Sequence, residues 1–132
     1  DSDIAWISVD DDQTYLRFED MFRRSGVARQ MESVIDHIDA LRVYSAYFVV
    51  RSRGNGTNFH SDFVRDIGCN AFTLMTPLAD YCAPDFQLLY RDLDGATRQH
   101  RYKHGEALCF GSDFEHSTEP GHAREADGGM RL

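Results

Sequence analysis

Apolar residues in the first third of the chain recur at helical spacing. Between positions 27 and 41 their successive spacings are +4, +3, +1, +3 and +3, which places them on one face of a helix. Ser25-Gly26 separates this stripe from a shorter apolar segment at about 18–24, so two helices and one broken helix are equally compatible with the pattern. Before them, the loose alternation of residues 1–12 predicts an edge strand that ends in a solvated acidic turn. The stripe consists of Val27, Met31, Val34, Ile35, Ile38 and Leu41.

After Arg42 the pattern changes to β-branched and aromatic residues bounded by glycine and asparagine. This pattern predicts strands at 43–52, 57–63, 70–78, 86–92, 97–102, 107–110 and 113–117. Asp94-Gly95 separates two of these runs as a hairpin turn would. Short strands at such spacing predict a closed sandwich or barrel. We therefore expect a mostly β domain, with N-terminal helices at about 1–42 and a jelly-roll or cupin-like barrel at about 43–132 whose last strand is incomplete.

Composition supports one globular domain and disfavours some classes of binding partner. The 132 residues are 42% apolar, which is enough for a packed core, and 132 residues leave little room for a second domain. A formal net charge of −8 repels phosphate backbones, so nucleic acid is disfavoured as the main partner. The longest apolar run, 46–50, is far shorter than the roughly 20 residues of a membrane helix. We expect no membrane span.

The cysteines indicate a reducing environment. Cys69, Cys82 and Cys109 show no CxxC spacing, and no basic-then-apolar leader begins the sequence. A disulfide scaffold is therefore disfavoured, and we expect free, mostly buried thiols. The corresponding location is the cytoplasm or another reducing intracellular compartment.

The candidate chemistry centres on the segment Asn58-Phe59-His60-Ser61-Asp62-Phe63. On a strand, residues two apart project from the same face, so His60 and Asp62 are expected to point together into the barrel. His116, on a late predicted strand, would complete a set of two histidines and one carboxylate. Such a set leaves adjacent coordination positions open, as in non-haem Fe(II) oxygenases. The remaining histidines are interpreted as surface residues.

Three segments in order carry a family resemblance over about two-thirds of the chain: "NFHSDF", "NAFTLMTPLAD" and "GEALCFGSDFEHSTEPG". They resemble the double-stranded β-helix core of the 2-oxoglutarate and Fe(II)-dependent dioxygenases. The likeness is greatest to the prolyl-hydroxylase-like and phytanoyl-hydroxylase-like branches. In those families an HxD strand precedes a strand ending in a proline-leucine turn, and a glycine-led strand then runs into the distal histidine.

The resemblance implies roles for particular residues. His60, Asp62 and His116 would be both the iron ligands and the catalytic centre. A basic residue after the distal histidine would bind the distal carboxylate of 2-oxoglutarate, and Arg131 is preferred over Arg124 because it begins an apolar segment. A hydroxyl partner for the same carboxylate would come from Thr73, Thr57, Tyr44 or Tyr47, among which the sequence does not choose.

The implied activity is hydroxylation of a protein side chain or a small molecule, with decarboxylation of 2-oxoglutarate to succinate. The cofactors are Fe(II), 2-oxoglutarate as co-substrate, and ascorbate as an accessory reductant. Asp62 favours hydroxylation, because related halogenases have a small residue in its place. The alternative is a catalytically silent relative or a cupin-like metal-binding protein, although Ser61 and Asp62 do not fit the usual HxH motif of cupins. The substrate and the oligomeric state stay open.

Overall fold

The computed structural model of the chain describes residues 3–63, 65–78 and 85–123. These residues form a mostly β structure with two helices and small antiparallel sheets. The chain divides into two compact units, an N-terminal unit, Ala5–Val50, and a C-terminal unit, Asp1–Ile4 with Arg51–Leu132. In chain order the elements are β1 (Asp3–Ser8), α1 (Asp12–Arg24), α2 (Val27–Val34), β2 (Tyr47–Gly54), a 3-10 helix (Arg65–Asn70), β3 (Phe72–Met75), β4 (Leu88–Arg91), β5 (Thr97–His100), β6 (Leu108–Gly111), β7 (His116–Thr118) and β8 (Gly121–His122).

Helix α1 begins where the acidic run ends. Asp11 is the N-cap residue, and its carboxylate accepts hydrogen bonds from the Thr14 backbone N–H at 2.8 Å and from the Thr14 hydroxyl. These bonds satisfy a backbone donor that has no partner inside the helix. The acidic turn therefore has a local structural role. Gly26, with φ of +80°, then occupies the left-handed conformation before α2, which makes two helices of the apolar stripe.

The second helix is shorter than the apolar stripe predicts, because it ends at Val34 and not near Leu41. Ile35 is extended, and His37 has a φ of +66°, so the helical backbone does not continue. The Glu32 carboxylate accepts the Leu41 backbone N–H at 2.8 Å, which holds the following segment against the end of the helix. The later apolar positions of the stripe are half-buried in this non-helical segment.

Three small sheets have the strand orders β1-β2-β8, β3-β6 and β5-β4-β7. The hairpin between β4 and β5 is confirmed at Asp94-Gly95: Asp92 Oδ1 accepts the backbone N–H groups of Asp94 and Ala96, and Gly95 has a φ of +77°. In β3-β6, Thr73 lies opposite Phe110, and in β4-β7, Tyr90 lies opposite His116. Among the described residues, no helix is both long and apolar enough to cross a membrane.

The strand prediction needs correction in several places. The predicted strand at 57–63 does not form, because the backbone pairs only at His60, in an isolated bridge. Residues 65–70 form a 3-10 helix, so the following strand begins at Phe72. The strand predicted at 113–117 begins at His116, since a turn at 112–113 precedes it. The pair Gly121–His122 forms a short strand, β8, that the sequence pattern did not indicate.

The core of the C-terminal unit lies around β4. Leu88 is 1% exposed, and Phe86 and Phe110 are also buried. Gln87, itself buried, accepts the Tyr102 backbone N–H on its side-chain oxygen at 2.9 Å, so this buried amide carbonyl has a partner. The prediction of buried thiols is wrong for two cysteines, since Cys69 and Cys109 are free but exposed. Cys82 lies outside the described residues.

Candidate metal centre

The two candidate histidines are joined through their backbones. The His60 N–H donates to the His116 carbonyl at 3.0 Å, and the His116 N–H donates to the His60 carbonyl at 2.9 Å. The Asn58 N–H also donates to the Ser117 hydroxyl oxygen at 2.8 Å. This antiparallel bridge attaches the loop that carries His60 to strand β7. It brings the two imidazole rings to a centroid separation of 4.7 Å, across 56 positions of sequence.

Each imidazole ring is oriented by its Nδ1 atom. His60 Nδ1 lies 2.8 Å from the Asn58 carbonyl oxygen, and His116 Nδ1 lies 3.1 Å from the Phe114 carbonyl oxygen. Because a carbonyl oxygen can only accept, Nδ1 carries the proton in both rings, and Nε2 of the neutral ring keeps its lone pair. Metal-ligating histidines commonly use this arrangement. Both rings are therefore prepared to bind an ion through Nε2.

The Asp62 carboxylate lies where the two Nε2 atoms converge. Its Oδ1 atom is 3.4 Å from His116 Nε2 and 3.6 Å from His60 Nε2, longer than a normal hydrogen bond of about 2.7–3.2 Å. Donor atoms that share an ion through bonds of about 2.0–2.2 Å lie roughly 3.0–3.5 Å apart. In the described part of the chain, these three side chains form a group whose ligand atoms all lie within 4.8 Å of one another. The His116–Asp62 separation falls within that range and the His60–Asp62 separation lies just beyond it, so both are closer to the spacing of two ligands of one ion than to a direct hydrogen bond.

The second oxygen of Asp62 has a different partner. The Thr73 hydroxyl donates to Asp62 Oδ2 at 2.6 Å. Thr73 belongs to β3, whose pairing with β6 fixes its backbone. The sequence offered Thr73 as a hydroxyl partner for the carboxylate of 2-oxoglutarate. The structure places this hydroxyl instead on a carboxylate of the protein, while the co-substrate role stays a prediction.

Exposure differs across the three candidate ligands. The His116 side chain is 8% exposed, that of Asp62 is 28% exposed, and that of His60 is 51% exposed. One side of the group is therefore closed by protein, and the other is open to solvent. An ion held here would be reachable by other ligands from the His60 side. A separate surface depression, lined in part by Cys69 and Phe114, does not include the three candidate ligands.

Aromatic rings cover the buried side of the group. The Phe110 ring centroid lies 4.8 Å from that of His116, and the Phe114 centroid lies 5.8 Å from it in a stacked arrangement. Tyr90 stacks on Phe114 at 5.4 Å. An apolar wall of this kind limits access of water and lowers the local dielectric response, which strengthens the attraction between an ion and its ligands.

The expected reason for the convergence of His60 and Asp62 was a shared strand face, and that reason is wrong. His60 forms an isolated bridge and Asp62 lies in a bend, and the two side chains converge because His60 is paired with His116 while Asp62 is bonded to Thr73. The carbonyl groups of Asn58 and Phe114 went unpredicted, because backbone acceptors leave no signal in side-chain identity. Arg131 and Arg124, the candidate residues for 2-oxoglutarate, lie outside the described residues.

The chemistry of the donor set fits a divalent transition metal. Two imidazole nitrogens and one carboxylate oxygen suit Fe(II), and three protein ligands leave further coordination positions for exogenous groups. No protein family, curated protein or solved structure matched the chain when it was compared with them. The geometry of His60, Asp62 and His116 is therefore the observation on which a functional proposal depends.

Proposed function

We propose that this chain is an Fe(II)- and 2-oxoglutarate-dependent dioxygenase that hydroxylates a protein side chain or a small molecule. The observation that carries the proposal is the convergence of His60 Nε2, His116 Nε2 and Asp62 Oδ1, with both Nδ1 protons already used by backbone carbonyls. The associated fold would be the double-stranded β-helix, and the small antiparallel sheets are compatible with it. The ordered motifs of the sequence resemble the same family.

Each of the three candidate ligands would contribute differently to binding the ion. His116, buried and part of β7, would provide the fixed ligand, and His60 would close the site from the exposed side. Asp62 contributes one negative charge, which partly neutralises a divalent cation. The bound iron, with 2-oxoglutarate and dioxygen, would supply the oxidising chemistry that turns a C–H group into an alcohol and releases succinate and carbon dioxide.

Other residues of the chain would position and protect the reactants. Phe110 and Phe114 pack against the His116 ring and would keep water from the buried side of the site, which would limit side reactions there. The His60 side chain is half-exposed, so a co-substrate and a substrate would reach the ion from this side. By the resemblance, Arg131 would bind the distal carboxylate of 2-oxoglutarate through its planar guanidinium group. The substrate would then approach from solvent.

Turnover of 2-oxoglutarate tests the proposal. Purified protein with Fe(II), ascorbate and 2-oxoglutarate is expected to form succinate, slowly without substrate and faster when a matching peptide or metabolite is added. Under anaerobic conditions, 2-oxoglutarate should produce a metal-to-ligand absorption band. If neither succinate nor this band appears, the oxygenase proposal is wrong. Metal binding without either signal would favour the silent or cupin-like alternative.

Asp62→Ala provides the matched variant for this assay. Loss of a direct ligand should weaken Fe(II) binding by more than about 100-fold, since loss of a mere hydrogen-bond partner of a ligand already costs 10–100-fold. Succinate formation should fall with it, while circular dichroism should show an intact fold. Asp94→Ala, which removes an exposed carboxylate in the β4–β5 turn, serves as the control and should leave both unchanged. Activity that survives in Asp62→Ala would show that the ligands are misassigned.

A further inference from the structure

We infer that Thr73 is a positioning residue of the candidate metal centre, whose hydroxyl proton orients the Asp62 carboxylate toward the ion. The inference rests on the metal site of the proposed function and assigns Thr73 a role different from the binding of 2-oxoglutarate. It depends on the contacts of the two Asp62 oxygens and on the strand that carries Thr73.

The two oxygens of Asp62 have separate partners. Oδ2 accepts the Thr73 hydroxyl at 2.6 Å, a length typical of a hydrogen bond from a hydroxyl to an ionised carboxylate. Oδ1 faces both Nε2 atoms, at 3.4 Å from His116 and 3.6 Å from His60. The hydrogen bond from Thr73 to Oδ2 orients the Asp62 carboxylate, and it leaves Oδ1 as the oxygen that faces an ion. The geometry favours binding through one oxygen.

Asp62 needs this orientation more than the two histidines do. His60 and His116 are fixed by their mutual backbone bridge and by the carbonyls that hold their Nδ1 atoms. Asp62 lies outside any strand, in a bend, and its side chain is 28% exposed. Thr73, in contrast, is half-buried in β3, where it lies opposite Phe110 of β6. The hydrogen bond from Thr73 therefore restrains the Asp62 side chain, which lies on a loop, against the paired strand β3.

The Thr73 hydroxyl has one proton, and it can donate that proton to one acceptor at a time. While it donates to Asp62 Oδ2, it cannot donate to the carboxylate of a bound co-substrate. The two roles therefore predict different results for the same substitution. A positioning role changes the affinity for the metal alone, whereas a co-substrate role changes the affinity for 2-oxoglutarate at saturating metal and leaves the metal affinity as it was.

The test is a titration with Co(II) under anaerobic conditions, followed by visible absorption, of wild type, Thr73→Val, Thr73→Ser and Thr76→Val. We expect Thr73→Val to bind Co(II) about 10–100-fold more weakly than wild type, as for other hydrogen-bond partners of metal ligands. Thr73→Ser keeps the donor and should restore most of the affinity. Thr76→Val is the matched control, because it removes a nearby hydroxyl that donates to the Glu106 carbonyl at 3.0 Å, and it should bind Co(II) as wild type does.

The outcomes separate this inference from the proposed function. If wild type binds Co(II) and Thr73→Val binds it equally tightly, the positioning role is overturned while the metal centre stands. If wild type binds no Co(II), the metal centre and the positioning role fall together. Should Thr73→Val fail to fold, as shown by thermal melting without metal, Thr73→Ala replaces it. Equal Co(II) affinities of Thr73→Ala and Thr73→Ser would then overturn the positioning role.

Discussion

The N-terminal and C-terminal units are stabilised in different ways. In the N-terminal unit, ionic and capping contacts on the helices join residues close in sequence, as in the Glu19–Arg23 pair and the Arg23–Glu32 pair. Ala28 and Met31 are its buried apolar residues among those described. In the C-terminal unit, strands far apart in sequence pair around Leu88 and bring the candidate ligands together. A site that holds three side chains at fixed distances needs this pairing of strands that are far apart in sequence.

Polar contacts of Glu19 and Glu32 show how the N-terminal unit is stabilised. The pKa of Glu32 is lowered, first because the Leu41 backbone N–H donates to it and then because Arg23 does. One contact of this network reaches farther along the sequence, because the Glu19 carboxylate accepts the Val43 backbone N–H, 24 positions away, at 2.8 Å. These contacts attach the segment after α2 to the helices, but they lie near the surface, where solvent screens charge. Each one therefore contributes less than a buried apolar side chain does.

Among substitutions that test the difference between the two units, Leu88→Ala is expected to reduce the free energy of unfolding most. Leu88 is 1% exposed in β4, the central strand of the β5-β4-β7 sheet, so truncation leaves a cavity that should lower the free energy of unfolding by about 2–5 kcal/mol. Urea unfolding measures this change. Leu93→Ala, in the adjacent turn, is the matched control, because Leu93 is fully exposed and its truncation should have little effect. Similar losses for both variants would contradict a core centred on β4.

Substitutions of His116 and His60 are expected to lower the free energy of unfolding by smaller and different amounts. Without metal, His116→Ala should lower the free energy of unfolding by about 1–3 kcal/mol, because it removes a buried ring and leaves the part-buried Phe114 carbonyl without its hydrogen-bond donor. His60→Ala removes a half-exposed ring and should cost less. Both variants should lose the rise in melting temperature that Fe(II) or Co(II) gives wild type. If His60→Ala destabilises the apoprotein as much as His116→Ala, the exposed side of the site is as important to the fold as the buried side.

The smallest effect concerns the cap of α1 and its pH dependence. Hydrogen bonds from Thr14, first from its hydroxyl and then from its N–H, lower the pKa of Asp11 below its ordinary value of 3.8. A lowered folded-state pKa stabilises the fold above the unfolded pKa, and this stabilisation is lost as the pH falls through the folded pKa. Asp11→Ala should therefore reduce the melting temperature by a constant few degrees from pH 7 to about pH 5, and by less below about pH 4.

Two substitutions control for charge in that experiment. Asp11→Asn keeps a side-chain acceptor at the N-cap and should stay close to wild type near pH 7. Asp10→Ala removes a neighbouring exposed carboxylate and should have a much smaller effect than Asp11→Ala. If Asp10→Ala and Asp11→Ala behave alike at every pH, general charge near the helix end, and not the cap, stabilises α1.

Much of the secondary structure could be predicted from the sequence. The helical stripe predicted α2 but not its end, because the apolar positions continue to Leu41 whereas the backbone is already extended at Ile35. The β4–β5 hairpin was predicted from Asp94-Gly95, since the turn residues themselves set the backbone conformation. The strand predicted around His60 was wrong, because an aromatic-rich segment can be extended without finding a partner along its length.

The sequence by itself determined local features: the break at Gly26, the turn at Asp94-Gly95, and the residue types that can supply two imidazoles and a carboxylate. Only the tertiary structure decided which atoms meet. The bridge between His60 and His116 and the bond from Thr73 to Asp62 depend on pairing across 56 and 11 positions of sequence. Local propensity acts over a few residues, whereas such pairing is selected by the burial and backbone hydrogen bonding of the whole unit.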